Sequence, residues 1–581
     1  MRSPILPILL VALLVLTILT WFGGWPRGLP PAVPAVALMA ATAWRFGPGL
    51  RTVVRHRRFL PLPETGACLL LTLAYRWPAL VHPWGFVNRD GAYGAFIALH
   101  LLEGVRPAPV FTEGANYQGS LKGHLGALFA LLTGSRDLSW LIVLASVFLY
   151  LVFVAASMAL ARRIAGREAG VVTGLYLALS PKFLTTFSLN SVGQYIDVLA
   201  LGGCALLLVA RVDASPGASA SRRDLYLGIG LLLGAAFWQQ PVALAYVAAA
   251  VVVLALRRAI WRDPAVLLLP VGLVVGALPV LIWNAENGWG TGDLLARDPW
   301  QLLSRVKILT PLVSETSSVA FPILAGLSPG HPAASWPAAR AFATLLLPLV
   351  ALAYLVAQRA ALVQGLRGRT AAPLLPLLLA AANLALFFAT TGGDVNRRPR
   401  YLLPFLAASA IMLGAAAAWA FARARLATLV AVLGILALNV SGTLPRLRES
   451  AAIEEGWRQA VRSLEDKGIR TGYSDVTVAG AITMFTAERI TLSARLGPTP
   501  AYNSDRQDER VAREGPDAYV LAPGDDTEAF RAALRRLGVT CSYDPQPYPT
   551  FWQCSRRVRL EEVDGFRGEA TAGAEGARGE E

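Results

Sequence analysis

The chain has 581 residues, of which 55% are hydrophobic and only 16% charged. A soluble protein carries about a quarter charged residues, so this composition excludes a soluble globular enzyme and points to a polytopic membrane protein. The net charge of +15 lies in clusters between apolar runs, the pattern of positive-inside loops and not of nucleic-acid binding.

The first apolar run, Ile5 to Phe22, follows a lone Arg2 and ends at the turn Gly23-Gly24-Trp25-Pro26. It has no small-residue cleavage site and reads as a retained span. Leu29 to Trp44 is a second span and leads to the basic cluster Arg51–Arg58, the strongest cytoplasmic marker in the chain. A third span, Thr65 to Val81, crosses back and delivers a long polar stretch, Asn88 to Gly123, to the opposite side. This stretch carries Asp90, an apolar-faced segment Ala92 to Leu102, the breakers Pro107 and Pro109, Glu113, and Tyr117-Gln118-Gly119-Ser120 before Lys122. A loop this long and partly apolar is expected to lie back on the membrane surface and hold its carboxylates at the interface.

The alternation continues. Trp140 to Leu160 returns to Arg162-Arg163, Ala169 to Phe187 goes out, and Val192 to Val209 comes back to the basic loop Arg211–Arg223. Short spans Leu225 to Trp238 and Val242 to Leu256 follow, then Val266 to Ile282 and a second long outer loop, Asn284–Pro337. Ala341 to Val356, Pro373 to Ala389, Leu402 to Phe421 and Leu426 to Val440 complete about thirteen spans of bilayer length. An odd number from a cytoplasmic N-terminus puts the C-terminus outside. The expected fold is therefore an α-helical polytopic membrane domain over 1–441, a small extracytoplasmic α/β domain over 442–564, and a disordered Gly/Ala/Glu-rich tail over 565–581. In the α/β domain the pattern predicts helices over 454–467 and 527–537 and strands over 470–474, 490–493 and 518–522. Cys541 and Cys554 share that domain and are expected to pair in an oxidising compartment. The five histidines have no partner at ligand spacing, and no metal site or cofactor is expected.

A few basic residues fall on the outer side against the charge bias: Lys122, Lys182, Arg305, Lys307, and Arg397-Arg398-Pro399-Arg400-Tyr401 at the head of a span. A guanidinium offers phosphate a planar fork of donors, so an anionic headgroup is one natural partner; snorkelling to ordinary lipid phosphate is the other. Both readings stand for Arg397 and Arg400, whereas snorkelling is favoured for Lys182, Arg305 and Lys307.

Several motifs, in this order, resemble the GT-C superfamily of integral-membrane glycosyltransferases, which includes protein O-mannosyltransferases and lipid A aminoarabinose transferases. They are Asn88–Tyr93 after an early span, Tyr117–Ser120, Gly276–Pro279 through Asn284 before the long loop, and Arg400–Pro404. Ser188–Tyr195, Gly234–Pro241, Gly472–Asp475 and Ala487–Ile490 are similar to the bacterial branch. The resemblance implies a polyprenyl-phosphate sugar donor, an acceptor hydroxyl, membrane lipid as surroundings and no metal. Where the mannosyltransferases carry paired acids in the first outer loop, here Arg89 precedes Asp90, and the acceptor class stays open. On this reading Asp90 takes the acceptor proton and a single carboxylate acting directly implies inversion. Arg397, Arg400 and Lys122 would stabilise the departing phosphate, and Glu113, Tyr117 and Tyr401 would line the substrate site. Glu286 and Asp293 are weaker candidates for acceptor or sugar contacts. The competing expectation is a lipid-linked-sugar flippase or a non-catalytic scaffold. No internal repeat and few acids within spans favour the enzyme.

Overall fold

The computed structural model describes residues 63–87, 89–105, 109–112, 115–190, 192–214, 219–257, 263–289, 313–368, 370–390, 399–496, 505–523, 525–545 and 547–558. Glu113, Arg397, Arg398, Asp293, Arg305 and Lys307 lie outside the described residues, as do residues 1–62 and the tail from 559.

The membrane part is a helical bundle. It opens with α1 (Pro63–Val81), α2 (Arg89–Leu102), α3 (Leu121–Thr133) and α4 (Leu138–Ala165). It continues through α5 (Arg167–Ala178), α6 (Lys182–Leu189), α7 (Tyr195–Ala214), α8 (Ser219–Gln239) and α9 (Leu244–Ala255). Then come α10 (Leu268–Gly276), α11 (Leu278–Glu286), α12 (Pro337–Leu366), α13 (Leu375–Thr390), α14 (Leu403–Phe421) and α15 (Arg425–Asp466). Among the described residues six helices are long and apolar enough to cross a membrane, or seven if α10 and α11, bent by 53° at Ala277, form one span. The chain is thus multi-pass.

Local chemistry sets the breaks. Asp137 caps α4 by accepting from the Ser139 and Trp140 amides, and Gly134, at φ 72°, ends α3 in the left-handed region that glycine tolerates. Ser180-Pro181 divides the span expected over 169–187 into α5 and α6, because proline lacks the amide a continuing helix needs. Arg76, fully buried in α1, braces this break: it donates to Ser188 Oγ at 2.7 Å, Ser180 Oγ at 2.9 Å and the Ala178 carbonyl at 3.0 Å, and lies over the Tyr150 ring. A charge inside a bundle is held this way, by several converging acceptors.

The sequence missed α3. Its 13 residues are too short to span, and so are invisible to a search for bilayer-length runs. The residues of α2 are largely buried within the protein. The helix is covered by α3 and α4 on one side and by the C-terminal domain on the other, with Ala92, Tyr93, Ala95 and Phe96 in one cluster with Val478, Ala479 and Ile482. The last span and the helix expected over 454–467 are one 42-residue helix, α15, which runs through the expected domain boundary at 441–442.

The C-terminal domain carries a five-stranded sheet of order β2-β1-β3-β5-β4, with β1 Thr471–Ser474, β2 Thr491–Ser493, β3 Ala518–Val520, β4 Ser542–Asp544 and β5 Thr550–Trp552. The first three strands are parallel; β5 runs antiparallel to β3 and to β4. Helices α16 (Val476–Phe485), α17 (Asp505–Glu514) and α18 (Thr527–Arg536) connect them. Three of the strands and α18 fall where the alternation placed them; α16, α17 and the β4–β5 pair were not anticipated. Cys541 and Cys554 are disulfide-bonded, as expected.

Candidate active site

Asp90 stands in the first turn of α2 and is 8% exposed. A carboxylate there faces unpaired amides and the positive end of the helix dipole. One turn on, the carbonyl of Gly94 and the side chain of Ile97 press against Gly123 of α3 so closely that a Cβ on Gly123 would sit 2.5 Å from Ile97 and 2.9 Å from the Gly94 oxygen. Positions 90 and 94 share one face of the helix. The close crossing therefore brings the Asp90 end of α2 next to the start of α3.

The neighbour of Gly123 is Lys122. The sequence reading placed it among the outer cations, but it lies inside α3, wholly buried, with its ammonium 3.1 Å from the carboxylate of Asp197. Asp197 belongs to the first turn of α7 and is wholly buried too. A buried charge persists when it is paired, and this pairing sets the place of Lys122. Asp197 escaped the sequence reading, which took the spans to be almost free of acids. The signal was there: a single Asp three residues after Gln194, in a span that is otherwise apolar, is a functional-site marker.

Around the pair lies a set of buried amides. Gln194 precedes α7 and donates from Nε2 to Thr112 Oγ1 at 3.3 Å. Gln239 ends α8; its Oε1 accepts from the Leu121 amide at 3.2 Å and its carbonyl accepts from the Gly119 amide. A Cβ on Gly119 would meet the Gln239 side-chain amide at 2.6 Å, so a side chain there would push that amide aside. Gln240 hydrogen-bonds to Tyr195. The stretches 110–112 and 115–119 are fastened over the ends of α8 and α11: Phe111 bridges to Gly119, Trp238 Nε1 donates to the Val110 carbonyl at 2.9 Å, and Phe111 meets Trp283 edge-on at 5.0 Å.

At the head of α14 stands Arg400, half-buried beside Tyr401, Tyr195 and Tyr117 and hydrogen-bonded to Tyr401. It has no carboxylate partner among the described residues, and its buried Nε has no hydrogen bond. Tyr195 and Tyr401 pack edge to face at 6.0 Å, which links this cation to the glutamine set. The structure so brings Tyr117, Lys122, Arg400 and Tyr401 to one connected region. Glu286 ends α11, and Lys182 begins α6. Among the described residues no group of three or more His, Cys, Asp or Glu is arranged to hold a metal ion.

Residues 122–283 match the family model described as dolichyl-phosphate-mannose-protein mannosyltransferase. Among solved structures the fold is similar to ArnT from Cupriavidus metallidurans bound to undecaprenyl phosphate, with a TM-score of 0.55 and 14% identity over 84% of this chain and 98% of that one. The apo state of ArnT from the same organism gives 0.52 and 14%, over 85% and 98%. A search of the curated proteins finds no match. The family-model match and the shared fold agree with the resemblance read from the motifs.

Proposed function

We propose that the protein moves a sugar from a polyprenyl-phosphate donor to an acceptor hydroxyl at the outer face of the cytoplasmic membrane, with inversion at the anomeric carbon and Asp90 as general base. The observation that carries this reading is Arg400, a half-buried guanidinium at the head of a span, ringed by tyrosines and without a carboxylate partner among the described residues. Such a cation suits a phosphate, and the similar fold of ArnT holds undecaprenyl phosphate. In the reaction the acceptor oxygen attacks C1 and the C1–O bond to phosphate breaks. The bonding pair leaves on the phosphate oxygen beside Arg400, and Asp90 takes the acceptor proton. Lys122 adds less to the phosphate than its charge suggests, because Asp197 already compensates it. Tyr117 and Tyr401 border the leaving group. Glu113 and Arg397 complete the proposed set as acceptor-side and phosphate-side contacts. The acceptor is a hydroxyl on a glycan, lipid or protein, and the C-terminal domain faces outward.

The test is Asp90→Asn in the full-length protein, assayed with a polyprenyl-phosphate hexose. Turnover is expected to fall by about two to four orders of magnitude while donor binding survives. Near-normal turnover in a folded Asp90→Asn enzyme would remove Asp90 as the base; movement of the donor across the bilayer without transfer would replace the enzyme reading with a transporter.

A further inference from the structure

We infer that the C-terminal domain holds a second site, a cavity that takes one acidic sugar unit: a ring bearing a carboxylate or a phosphate. The cavity measures about 280 Å³. Several stretches of chain meet in its walls. Lys467 caps α15, Asp517 and Tyr519 come from the approach to β3 and from β3 itself, Trp552 ends β5, and Arg556 and Arg557 follow. The cavity lies apart from the donor region, and binding there is measured without turnover.

The wall that carries the two arginines is fixed in place. β5 pairs with β3 and β4, and Cys554 is bonded to Cys541. The Ser555 amide donates to the Thr540 carbonyl at 2.8 Å, and the Val558 amide to Tyr519 Oη at 3.1 Å. Arg556 donates to the Leu537 carbonyl, at the end of α18, at 3.3 Å. The Arg557 guanidinium lies against Gly515, in space that a Cβ there would need. Both arginines are exposed.

Charge then sets the class of ligand. Among the described residues Asp517 is the one acid on the walls. Its Oδ2 is committed to the protein, accepting from the Arg470 and Thr471 amides at 2.9 and 3.1 Å. Lys467 is paired with Asp544 at 2.7 Å, whereas Arg535 and Arg536 end α18 next to the carbonyl that Arg556 reaches. A cleft lined mainly by cations draws an anion, and guanidinium forks suit a carboxylate or a phosphate. A bare anion would need only the arginine corner. The cavity continues past it to Trp552, whose ring lies 5.0 Å from the Lys467 ammonium. An aromatic wall set among hydrogen-bonding groups suits a ring with apolar C–H bonds and hydroxyls, so the anion is one carried on a sugar.

The experiment measures binding of trigalacturonate, glucose 6-phosphate, maltotriose and inorganic phosphate to the full-length protein in nanodiscs of neutral lipid. At least one acidic sugar is expected to bind about tenfold or more tighter than neutral maltotriose and than inorganic phosphate, and the tighter of the two names the anion. Arg557→Gln is expected to weaken that binding at least about tenfold. Arg557→Lys keeps the charge but loses the fork, and should fall between. Arg556→Gln is expected to act like Arg557→Gln; if it lowers the thermal midpoint by freeing the end of α18, the two Arg557 variants carry the test. Arg489→Gln removes an exposed charge beside β2, at the opposite edge of the sheet, and should leave binding unchanged. Maltotriose or inorganic phosphate binding as tightly as the acidic sugars overturns the site, as does an equal loss in Arg489→Gln, which would mean general charge attraction. Absence of binding by every probe overturns it too. So does binding that appears only once Glu561, Glu562 and Asp564 are replaced by their amides, which would assign the corner to the chain's own acidic tail.

Discussion

At the residue scale the Lys122–Asp197 pair shows how far a local reading reaches. Lys122 follows a polar segment and reads as a surface cation; Asp197, 75 positions on, reads as an isolated acid in an apolar run. Only the fold puts them 3.1 Å apart with no exposure. Removing one partner strands the other charge in an apolar interior. Lys122→Met or Asp197→Leu alone is therefore expected to cost about 3–5 kcal/mol of stability, whereas the double variant loses less than either single one. Thermal unfolding of the three variants decides the point, and losses that simply add would mean the pair is not coupled in the folded protein. Arg76 follows the same rule with a different solution: its carbonyl and hydroxyl acceptors come from three separate stretches of chain.

At the element scale the closest packing is between α8 and α10. Gly230 and Gly234 of one helix face Gly272 and Gly276 of the other. A Cβ on Gly234 would lie 2.2 Å from the Leu273 carbonyl, and one on Gly276 2.3 Å from the Leu231 carbonyl. The obstacle is backbone, which cannot rotate away, so the helices must separate. Small residues at fourfold spacing are how helices approach closely in lipid, where dispersion contacts and not water drive association. Gly234→Leu is expected to lower the thermal midpoint by several degrees and to weaken donor use, because α8 ends in Gln239 beside Lys122 and α10 leads into the bend that seats Trp283 on Phe111. Gly434 of α15, with nothing within 4 Å of its would-be Cβ, is the control. Gly434→Ala should leave stability unchanged or slightly raised. Equal effects at the two positions would show that helix propensity and not close packing sets the cost.

At the scale of the whole molecule the C-terminal domain is built onto the helix that carries Asp90. Trp84 stacks on Phe485 at 4.1 Å, His100 of α2 meets the Glu488 carboxylate at 3.1 Å, and Arg506 joins Glu488 to Glu103. Ala487 and Glu488 both adopt positive φ, 47° and 62°, a strained turn for residues with a side chain. Arg510 secures it by donating to the Glu488 carbonyl at 2.6 Å. Burial alone would raise the Glu488 pKa. The hydrogen bond from His100 and the charges of His100, Arg506 and Arg510 outweigh it and hold the carboxyl below its ordinary 4.5. A lowered folded-state pKa means that the stabilisation is complete above about 4.5 and is lost as pH falls through the folded value. The docked state is therefore expected to weaken in acid below that point. Glu488→Gln should lose part of the docking stability at neutral pH and show a flatter acid profile. Hydrogen exchange of the α2 amides measures both, and an unchanged acid profile in the variant would exclude Glu488 as the group involved. The Cys541–Cys554 disulfide gives a second test at this scale. In intact cells an impermeant thiol reagent is expected to label both cysteines only after reduction; failure to label them even then would put the domain on the inner side.

The sequence by itself determined what depends on short-range pattern: apolar runs of bilayer length, the basic clusters between them, the acid at the start of the first long loop, the cation at the head of α14, and a small α/β domain with one cysteine pair. Each of these is carried by neighbouring residues and by the solvent they face. The tertiary structure decided what depends on meetings between distant segments. It covered α2 with helices and with the C-terminal domain, made a helix of 121–133 that is too short to announce itself as a span, and merged the last span with the first helix of the C-terminal domain. It also paired Lys122 with Asp197 and gathered three glutamines from two separate motifs. Periodicity reports whether a side chain is buried but not against what. In an apolar bundle the few polar residues take their roles from the partners the fold supplies, because only those partners offset the cost of taking them out of water.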